Sequence, residues 1–487
     1  MRFVGHRVGH RAGLACVGLA ALVGALAACS GAPGEDAAVS EGALGECTSA
    51  HVETAAGLWL RAAPSRTAEG YEVMPPGADV TVLERSADRE WARVRFGVRE
   101  GWAFADLLAC GAGAPVVGGA SGACAAGQER HTYVHSAGTA LRNAASPSAA
   151  TVLTLPFGAK LQARGVEGAF TRVVVPSLDE SGASDRVEGY VASADVRGSN
   201  RCTESGLAKK ESAGARHLLG QYSLSRAASS DNAKNATLGL NRLDGASVAD
   251  GAHLTYLDRV ADDRRGTVAC ASDADCDGAD VCHQRGVCGP YYFGISTQGT
   301  ELWGSGVCGT ATTLHRAALD ASLLPSAYTN HSRFPGSYGY PGADAEVAWY
   351  SAGPPATGQH YRFFNDSGGT VVVVAGTRLV GSQLEMTVQL WGSNADTRYS
   401  EHEIVSLGGD RLELRRKLTR IGSGERTSPR FAVEGAGNIR REGTPTVTTL
   451  ADGRVATTEQ WRIDSSYETS VRAPTERFLS RNHPERR

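Results

Sequence analysis

The chain has 487 residues, of which 41% are hydrophobic and 21% are charged, so two or three domains are expected. Its formal net charge is −3 at pH 7 and its isoelectric point is near 6.5. This balance gives no electrostatic basis for binding nucleic acid, which we exclude as a partner.

The N-terminus has the features of an export signal. Three arginines precede an apolar, alanine-rich run that ends at Ala28, and this run is too short for a convincing membrane span. The residues LAAC at 26–29 resemble the lipobox of bacterial lipoproteins, in which the cysteine is acylated and becomes the first mature residue. We therefore predict a lipoprotein signal peptide at 1–28 and a lipid anchor on Cys29, so that a membrane is a partner and the protein is exported and anchored to the cell envelope. The alternative is ordinary cleavage after residues 25–27, which would leave a soluble protein.

Residues 29–46 are small, polar and acidic, which predicts a flexible tether. The chain has 11 cysteines. Cys16 lies in the signal segment and Cys29 is the lipidation candidate, so an odd number is left for the exported body. Cysteines of exported proteins tend to pair, which makes an unpaired one informative.

Residues 47–110 and 124–202, separated by a linker at 111–123, form a predicted repeat. LRAAPS at 60–65 aligns with LRNAAS at 141–146, and Gly77-Ala78 aligns with Gly158-Ala159. Short alternating runs such as DVTVLE predict small all-β barrels. These stretches resemble bacterial SH3 domains, which commonly bind cell-wall peptides; the alternative is a pair of spacers.

Each module is bracketed by cysteines, which predicts the disulfides Cys47–Cys110 and Cys124–Cys202. The modules also contain large aromatic residues, which either fill the small cores or form a ligand-binding face. These residues are Trp59, Trp91, Trp102, Phe157, Phe170 and Tyr190.

A cysteine-rich insert at 270–288 places Cys270, Cys276, Cys282 and Cys288 at equal intervals of six residues. Zinc sites usually bring ligands in closer pairs, so two disulfides of open connectivity are predicted and no metal is expected. A calcium loop is also disfavoured, because Gln284 stands where a bidentate Glu is needed. With these pairs assigned, Cys308 is left without a partner.

Cys308 is the candidate nucleophile. It follows the glycine-rich run GSGV at 304–307 and precedes a stretch with helical spacing of apolar residues. A helix N-terminus favours the thiolate, and backbone N–H groups there can stabilise an oxyanion. We therefore predict an oxyanion site at the backbone of Gly306, Cys308 and Gly309. The alternative is an inert, buried free cysteine.

The run GSGVCGTATTLHRAAL at 304–319, followed by NHSRFPGSYGYPGAD at 330–344 and YRFFNDSGGTVVVVAG at 361–376, resembles the VanW-like domain family. The resemblance implies an α+β domain at 215–394, including the insert, with an activity similar to that of L,D-transpeptidases, which crosslink peptidoglycan stem peptides through a cysteine. By this resemblance Cys308 matches the family cysteine, His331 the family histidine and Asp344 the family aspartate. The chain departs from the family at two positions. Ser305 stands where the family often has glycine, and Gly309 stands where it usually has glutamine.

The chemistry of these residue types agrees with that resemblance. A thiolate nucleophile needs a proton acceptor, and histidine serves this role near neutral pH. His331 lies in a glycine- and proline-rich loop, whereas His315 is two helical turns, ~10 Å, from Cys308. A structural histidine at 331 and a turn-capping Asp344 are the alternatives.

The sequence therefore predicts a multidomain protein. Two small all-β SH3-like barrels precede the α+β VanW-like domain, and a β-rich C-terminal extension with a polar tail follows at 395–487. The predicted function is a cysteine-dependent acyl transferase acting on peptidoglycan stem peptides without any cofactor. The alternatives are a non-catalytic wall-binding or glycopeptide-tolerance accessory protein and a cysteine peptidase with the same nucleophile.

Overall fold

The fold is known from a computed structural model, in which the described residues belong to one compact unit, residues 44–487. The described range runs from 48 to 486 with gaps at 53–57, 66–67, 75–77, 87–89, 97–98, 111–123, 125–127, 180–185, 262–269, 279, 284–285, 297–298, 300, 348–360, 395–396, 429–437 and 475–476. The predicted signal peptide, the lipidation candidate Cys29, the tether and Cys47 lie outside the described residues. The lipid anchor and the Cys47–Cys110 disulfide therefore stay predictions.

The first module is a seven-stranded antiparallel sheet in the order β3-β2-β6-β5-β4-β1-β7. Leu58 and Leu60 point into its core while Trp59 between them is 47% exposed, as expected for a half-buried strand. Trp91 is buried, so the module's aromatic residues divide between core and surface. The strands are β1 Ser49–Val52, β2 Leu58–Arg61, β3 Gly70–Met74, β4 Asp79–Arg85, β5 Trp91–Phe96, β6 Arg99–Phe104 and β7 Leu108–Cys110.

The second module contributes seven strands to a sheet that extends far beyond it. These strands are β8 Gln128–Val134, β9 Thr139–Arg142, β10 Thr151–Leu155, β11 Lys160–Glu167, β12 Phe170–Pro176, β13 Arg186–Ala192 and β14 Val196–Glu204. The disulfide Cys124–Cys202 is present, as predicted.

The prediction of closed barrels is not confirmed, because both modules are open sheets in the described part of the chain. In the first module the outer strands β3 and β7 each pair on one side only. In the second, β10 pairs with a strand of the following region, through Thr154 and Leu379, instead of closing on its own module.

The central region completes this sheet of 11 strands, in the order β14-β8-β11-β12-β13-β9-β10-β24-β25-β15, with β16 paired to β24. Its elements are α1 Gly206–Ser212, β15 His217–Ala227, α2 Asp231–Leu243, β16 Ser247–Val248, β17 His253–Thr255, α3 Leu257–Val260, β18 Val281–His283, β19 Val287–Gly289, β20 Phe293–Ile295, β21 Glu301–Trp303, α4 Cys308–Asp320, β22 Leu324–Ala327, β23 Arg362–Phe364, β24 Val371–Val380 and β25 Gln383–Gly392.

The strand β24 explains why the run VVVVAG is apolar throughout. Val371 and Val373 pack into the core that contains α2 and α4, whereas Val372 and Val374 pack on the opposite face with Leu207 of α1. A strand covered on both faces reads as a continuous apolar run instead of an alternating one. The helix α4 lies against β15 and β25, with its residues from Gly309 to Leu319 all buried.

The cysteine-rich insert forms two disulfides, Cys270–Cys282 and Cys276–Cys288, which settles the connectivity that the sequence left open. It packs on β14 of the second module, where the Arg201 guanidinium binds both carboxylate oxygens of Asp280 at 2.9 and 2.7 Å. The insert therefore joins the second module to the central region.

The C-terminal residues form a five-stranded antiparallel sheet in the order β28-β29-β27-β26-β30. The strands are β26 Arg398–Gly408, β27 Arg411–Gly422, β28 Ile439–Thr449, β29 Val455–Ser466 and β30 Phe478–Leu479. About half of the described residues, 51%, lie in strands. Within the described ranges no helix combines the length and apolar character needed to cross a membrane.

Candidate active site

Cys308 is the first residue of α4, and glycine geometry brings the chain to this position. Gly304 and Gly306 have positive φ angles of 70° and 112°, which side-chain-bearing residues rarely adopt. A Cβ atom on Gly306 would lie 2.2 Å from the carbonyl oxygen of Asn232, so the turn before the nucleophile requires glycine at this position.

Two buried polar side chains fix this turn from the neighbouring elements. The amide of Asn235 in α2 donates to the carbonyl of Ser305 at 2.9 Å. The hydroxyl of Tyr256 donates to the carbonyl of Val307 at 2.9 Å. The backbone immediately before Cys308 is thereby held at two points, Ser305 and Val307.

One face of α4 binds the segment 343–347, which contains the predicted aspartate. Cys308, Thr312 and Arg316 are four residues apart and therefore share a helix face. The thiol of Cys308 lies 3.3 Å from the carbonyl of Val347, the Thr312 hydroxyl bonds both backbone groups of Ala345, and the Arg316 guanidinium donates to the carbonyl of Ala343 at 3.0 Å. The segment 343–347 thus runs antiparallel to the helix.

The structure brings together Cys308, His331 and Asp344, the three side chains predicted from the sequence. Asp344 Oδ2 accepts from the backbone N–H of His331 at 3.0 Å and lies 2.8 Å from its Nδ1. The Cys308 side chain lies close enough to the imidazole to act on the pKa of His331. Because Nδ1 faces the carboxylate, Nε2 is the ring atom available to the sulfur. His331 and Asp344 are almost completely buried, whereas Cys308 is partly exposed.

The electrostatics favour a charged imidazolium at His331. Burial alone would lower the pKa of His331, but hydrogen bonds to Asp344 and Cys308 and the negative charges of both raise it to about 10. Burial likewise acts to raise the pKa of Asp344, and the hydrogen bond and positive charge of His331 lower it overall.

Tyr467, in the C-terminal extension, adds a further hydrogen bond to Asp344, and no motif in the sequence pointed to it. Its hydroxyl donates to Asp344 Oδ1 at 2.5 Å and accepts from the backbone N–H of Gly342 at 2.7 Å. Both oxygens of the buried carboxylate are therefore occupied, which fixes its orientation toward His331.

Tyr338 is a second residue that the sequence analysis did not single out. Its ring meets the His331 ring edge-on, with centroids 5.2 Å apart. Burial and the negative charge of Cys308 raise the pKa of Tyr338, although Arg226 acts to lower it. The hydroxyl is therefore neutral and able to donate a hydrogen bond at the site.

The predicted oxyanion donors differ in whether their backbone N–H groups already donate a hydrogen bond. The backbone N–H of Gly309 donates to the carbonyl of Gly306 at 3.1 Å and is already engaged. Among the described residues no backbone carbonyl accepts from the N–H of Cys308, as expected at a helix start. The Cys308 amide is thus better placed than the Gly309 amide to bind an oxyanion.

His315 lies in the core and not at the site. Its ring packs against Tyr328 and Tyr361, and neither nitrogen has a hydrogen-bond partner among the described residues. Burial and the charge of Arg316 lower the pKa of His315 to about 3, so it stays neutral. These surroundings agree with the exclusion of His315 as the base.

The cysteine-rich insert places three sulfur atoms close together, at Cys270, Cys276 and Cys288, within 4.8 Å of one another. All three are bonded in disulfides, and a disulfide sulfur is not the thiolate that zinc binds. The acidic residues of the insert cap its turns: Asp273 accepts from the Cys282 N–H at 2.7 Å, and Asp275 from the Ala271 N–H at 2.7 Å. The donor set of the insert therefore does not fit a metal.

Comparison with known proteins supports the family prediction over part of the chain. The family described as VanW like protein matches residues 289–391, a segment that contains Cys308, His331 and Asp344. The VanW-like prediction is confirmed over this segment. None of the curated proteins matches the chain.

Two solved structures give weak similarities. The structure of NlpC2 from Trichomonas vaginalis is 12% identical, covers 40% of this chain and 56% of its own, and has a TM-score of 0.11. The structure of NlpC1 from the same organism is 11% identical, covers 71% of this chain and 92% of its own, and has a TM-score of 0.12. This chain therefore spans little more than half of the NlpC2 chain, and such TM-scores do not indicate a shared fold.

Proposed function

We propose that the segment 289–391 is the core of a cysteine acyl transferase that acts on the peptide stems of peptidoglycan. The observation that carries the proposal is the buried His331–Asp344 pair, which lies beside the partly exposed Cys308 at the start of a helix. Nucleophile, base and orienting carboxylate in this order are the arrangement that activates a thiol for attack on a carbonyl.

The first half of the reaction forms a thioester. The Cys308 sulfur attacks the carbonyl carbon of a peptide bond, and the backbone N–H of Cys308 stabilises the negative charge on the carbonyl oxygen. The C–N bond then breaks, and the His331 imidazolium gives its proton to the leaving amine. The acyl group remains on sulfur, and His331 is left neutral.

The second half returns the enzyme to its starting state. An acceptor amine attacks the thioester carbonyl, neutral His331 takes the amine proton, and the C–S bond breaks to release the thiolate. Asp344 stays ionised throughout, since its role is to orient His331 and stabilise its positive charge. Water in place of the amine would give hydrolysis by the same residues.

The peptide substrate and the location rest on the VanW-like match and on the sequence features of the N-terminus. A lipid on Cys29, a tether over 29–46 and two β-rich modules would hold the catalytic segment near the cell wall. Labelling cells with an alkyne fatty acid tests this part separately, because an absence of label on the protein contradicts the anchor and leaves the chemistry untouched.

Product analysis tests the reaction. The protein is incubated with a stem tetrapeptide in the presence and absence of an added amine such as glycine, and the products are separated by liquid chromatography and mass spectrometry. Transfer predicts that glycine replaces the terminal residue, and hydrolysis predicts the tripeptide. Cys308→Ser should form neither product. An unchanged tetrapeptide with wild-type protein would favour the non-catalytic binding function.

A further inference from the structure

A second positively charged side chain lies beside the nucleophile, at Arg226 in β15. A Cβ atom built on Gly309, the residue after Cys308, would lie 3.5 Å from Arg226 Nη1, 3.5 Å from the Tyr338 hydroxyl and 3.4 Å from Met386 Cε. Glycine at position 309 thus leaves a small space bordered by these three groups, which we call the Gly309 notch. Any larger residue there would occupy this space.

Among the residues that the structure describes, no carboxylate forms an ion pair with the guanidinium at the notch. Arg226 Nη1 is buried, and among the described residues it has no hydrogen-bond partner. Arg398 and Arg420, by contrast, both pair with the carboxylate of Asp366. A buried donor that makes no hydrogen bond costs free energy, which a ligand with a matching acceptor would recover.

The groups around the notch define what such a ligand must be. Arg226 brings a positive charge and an unused N–H, Tyr338 brings a neutral hydroxyl, and Met386 closes the remaining side with an apolar methyl group. His331 is positively charged and contacts the Tyr338 ring, so the two positive charges of Arg226 and His331 balance the negative charges of Cys308 and Asp344. A planar anion with two acceptor oxygens matches the charge and the hydrogen-bond donors of this arrangement.

We propose that Arg226 and Tyr338 bind a carboxylate of the acyl-donor peptide next to the scissile bond, and so select acidic peptides as substrates. The proposal rests on the acyl-transfer function proposed above. Because Gly309 directly follows the nucleophile, the carboxylate would belong to a residue adjacent to the attacked carbonyl, about one Cα–Cα step of ~3.8 Å away. It is either the terminal carboxylate of the leaving residue or a side-chain carboxylate of the stem.

A pair of alkylating reagents tests the charge preference without requiring turnover. Iodoacetate and iodoacetamide form the same C–S bond with Cys308, with loss of iodide, and differ only in carrying a carboxylate or an amide. Arg226→Gln should lower the rate with iodoacetate about 10-fold relative to iodoacetamide, the size expected for one hydrogen bond to a charged group. Arg226→Lys should recover part of that ratio, since it keeps the charge.

Arg172→Gln is the matched control, because Arg172 lies in β12, is exposed and pairs with Glu188 at 2.8 Å. It removes the same charge from another part of the sheet and should leave the ratio unchanged. An equal fall in both rates for Arg226→Gln, or no change in either, would overturn the carboxylate site. Thermal unfolding of each variant verifies that the fold is retained.

Peptide binding to the Cys308→Ser protein gives a readout that does not depend on thiol reactivity. By titration calorimetry, a stem tetrapeptide with free carboxylates should bind at least about 10-fold more tightly than the fully amidated peptide, and Arg226→Gln should remove that preference. Amidating only the terminal or only the side-chain carboxylate identifies which one is bound. Equal affinity for acid and amide forms overturns this proposal even if wild-type protein forms a thioester, whereas a preference without any thioester contradicts only the acyl transfer.

Discussion

Replacing Asp344 by Asn is the sharpest test of how the site is organised. The carboxylate accepts three hydrogen bonds: from the His331 N–H at 3.0 Å, from His331 Nδ1 at 2.8 Å and from the Tyr467 hydroxyl at 2.5 Å. An asparagine has nearly the same shape but only one acceptor oxygen and no charge. If that oxygen faces His331, its amide nitrogen faces Tyr467, whose hydroxyl then loses its acceptor.

The magnitude follows from the difference between charged and neutral acceptors. A hydrogen bond to a charged group contributes about 1.5–3 kcal/mol and a neutral one about 0.5–1.5 kcal/mol, so the two bonds to His331 together lose about 2–3 kcal/mol. At 1.4 kcal/mol per factor of ten, the rate of Cys308 alkylation by iodoacetamide near neutral pH should fall about 30- to 150-fold. The alkylation rate is measured by mass spectrometry over time.

The pH dependence of Cys308 alkylation should also change, in a direction that the role of Asp344 predicts. In the wild type the raised His331 pKa keeps the imidazolium charged until the pH approaches about 10, where the positive charge beside the sulfur is lost. Asp344→Asn should move this alkaline transition to lower pH. Tyr467→Phe keeps the carboxylate and should give a smaller loss, about 3- to 10-fold. An Asp344→Asn protein that alkylates within about 3-fold of wild type, with an unmoved alkaline transition, would refute the role assigned to the carboxylate.

Three further predictions concern the same residues. Cys308→Ser should lower the pKa of His331 from about 10, because two of the interactions that raise it come from the cysteine, and an unchanged titration of the imidazole signals in NMR spectra would exclude their contact. Under non-reducing conditions the mature protein should show one thiol reactive to iodoacetamide, at Cys308, and modification of two or more of the other cysteines would defeat the pairing scheme. His315→Ala should lower the free energy of unfolding by about 2–4 kcal/mol through the cavity it leaves, with the alkylation rate unchanged within about 2-fold; a loss as large as that of Asp344→Asn would place the base elsewhere.

The parts of the site that the sequence predicted are those with local signals. The positive-φ glycines before Cys308 and the helical periodicity after it are both properties of neighbouring residues, and α4 begins at the predicted residue. His331 and Asp344 came from the family resemblance, which the match over 289–391 supports. The four-residue spacing of Cys308, Thr312 and Arg316 is visible in the sequence. Its role becomes clear only in the structure, where these three residues contact the segment 343–347.

The parts that the sequence missed depend on distant pairing. Tyr467 is 123 residues from the carboxylate it contacts, and no short motif marks it. The same limit applies to the modules, where the alternating runs predicted the strands but not that β10 would pair with β24, more than 200 residues later. Period-2 patterning fixes which face of a strand is buried and leaves its partner strand open.

The most direct test of acyl transfer is mass spectrometry of the intact protein after exposure to isolated muropeptides, followed by peptide mapping under conditions that preserve thioesters. The account predicts an adduct on Cys308 whose mass equals the muropeptide without its leaving residue, and the adduct should disappear on adding hydroxylamine. Cys308→Ser should carry no adduct, and His331→Ala should carry far less than wild type. Absence of any adduct on wild-type protein whose Cys308 is still reduced and open to alkylation would contradict the account.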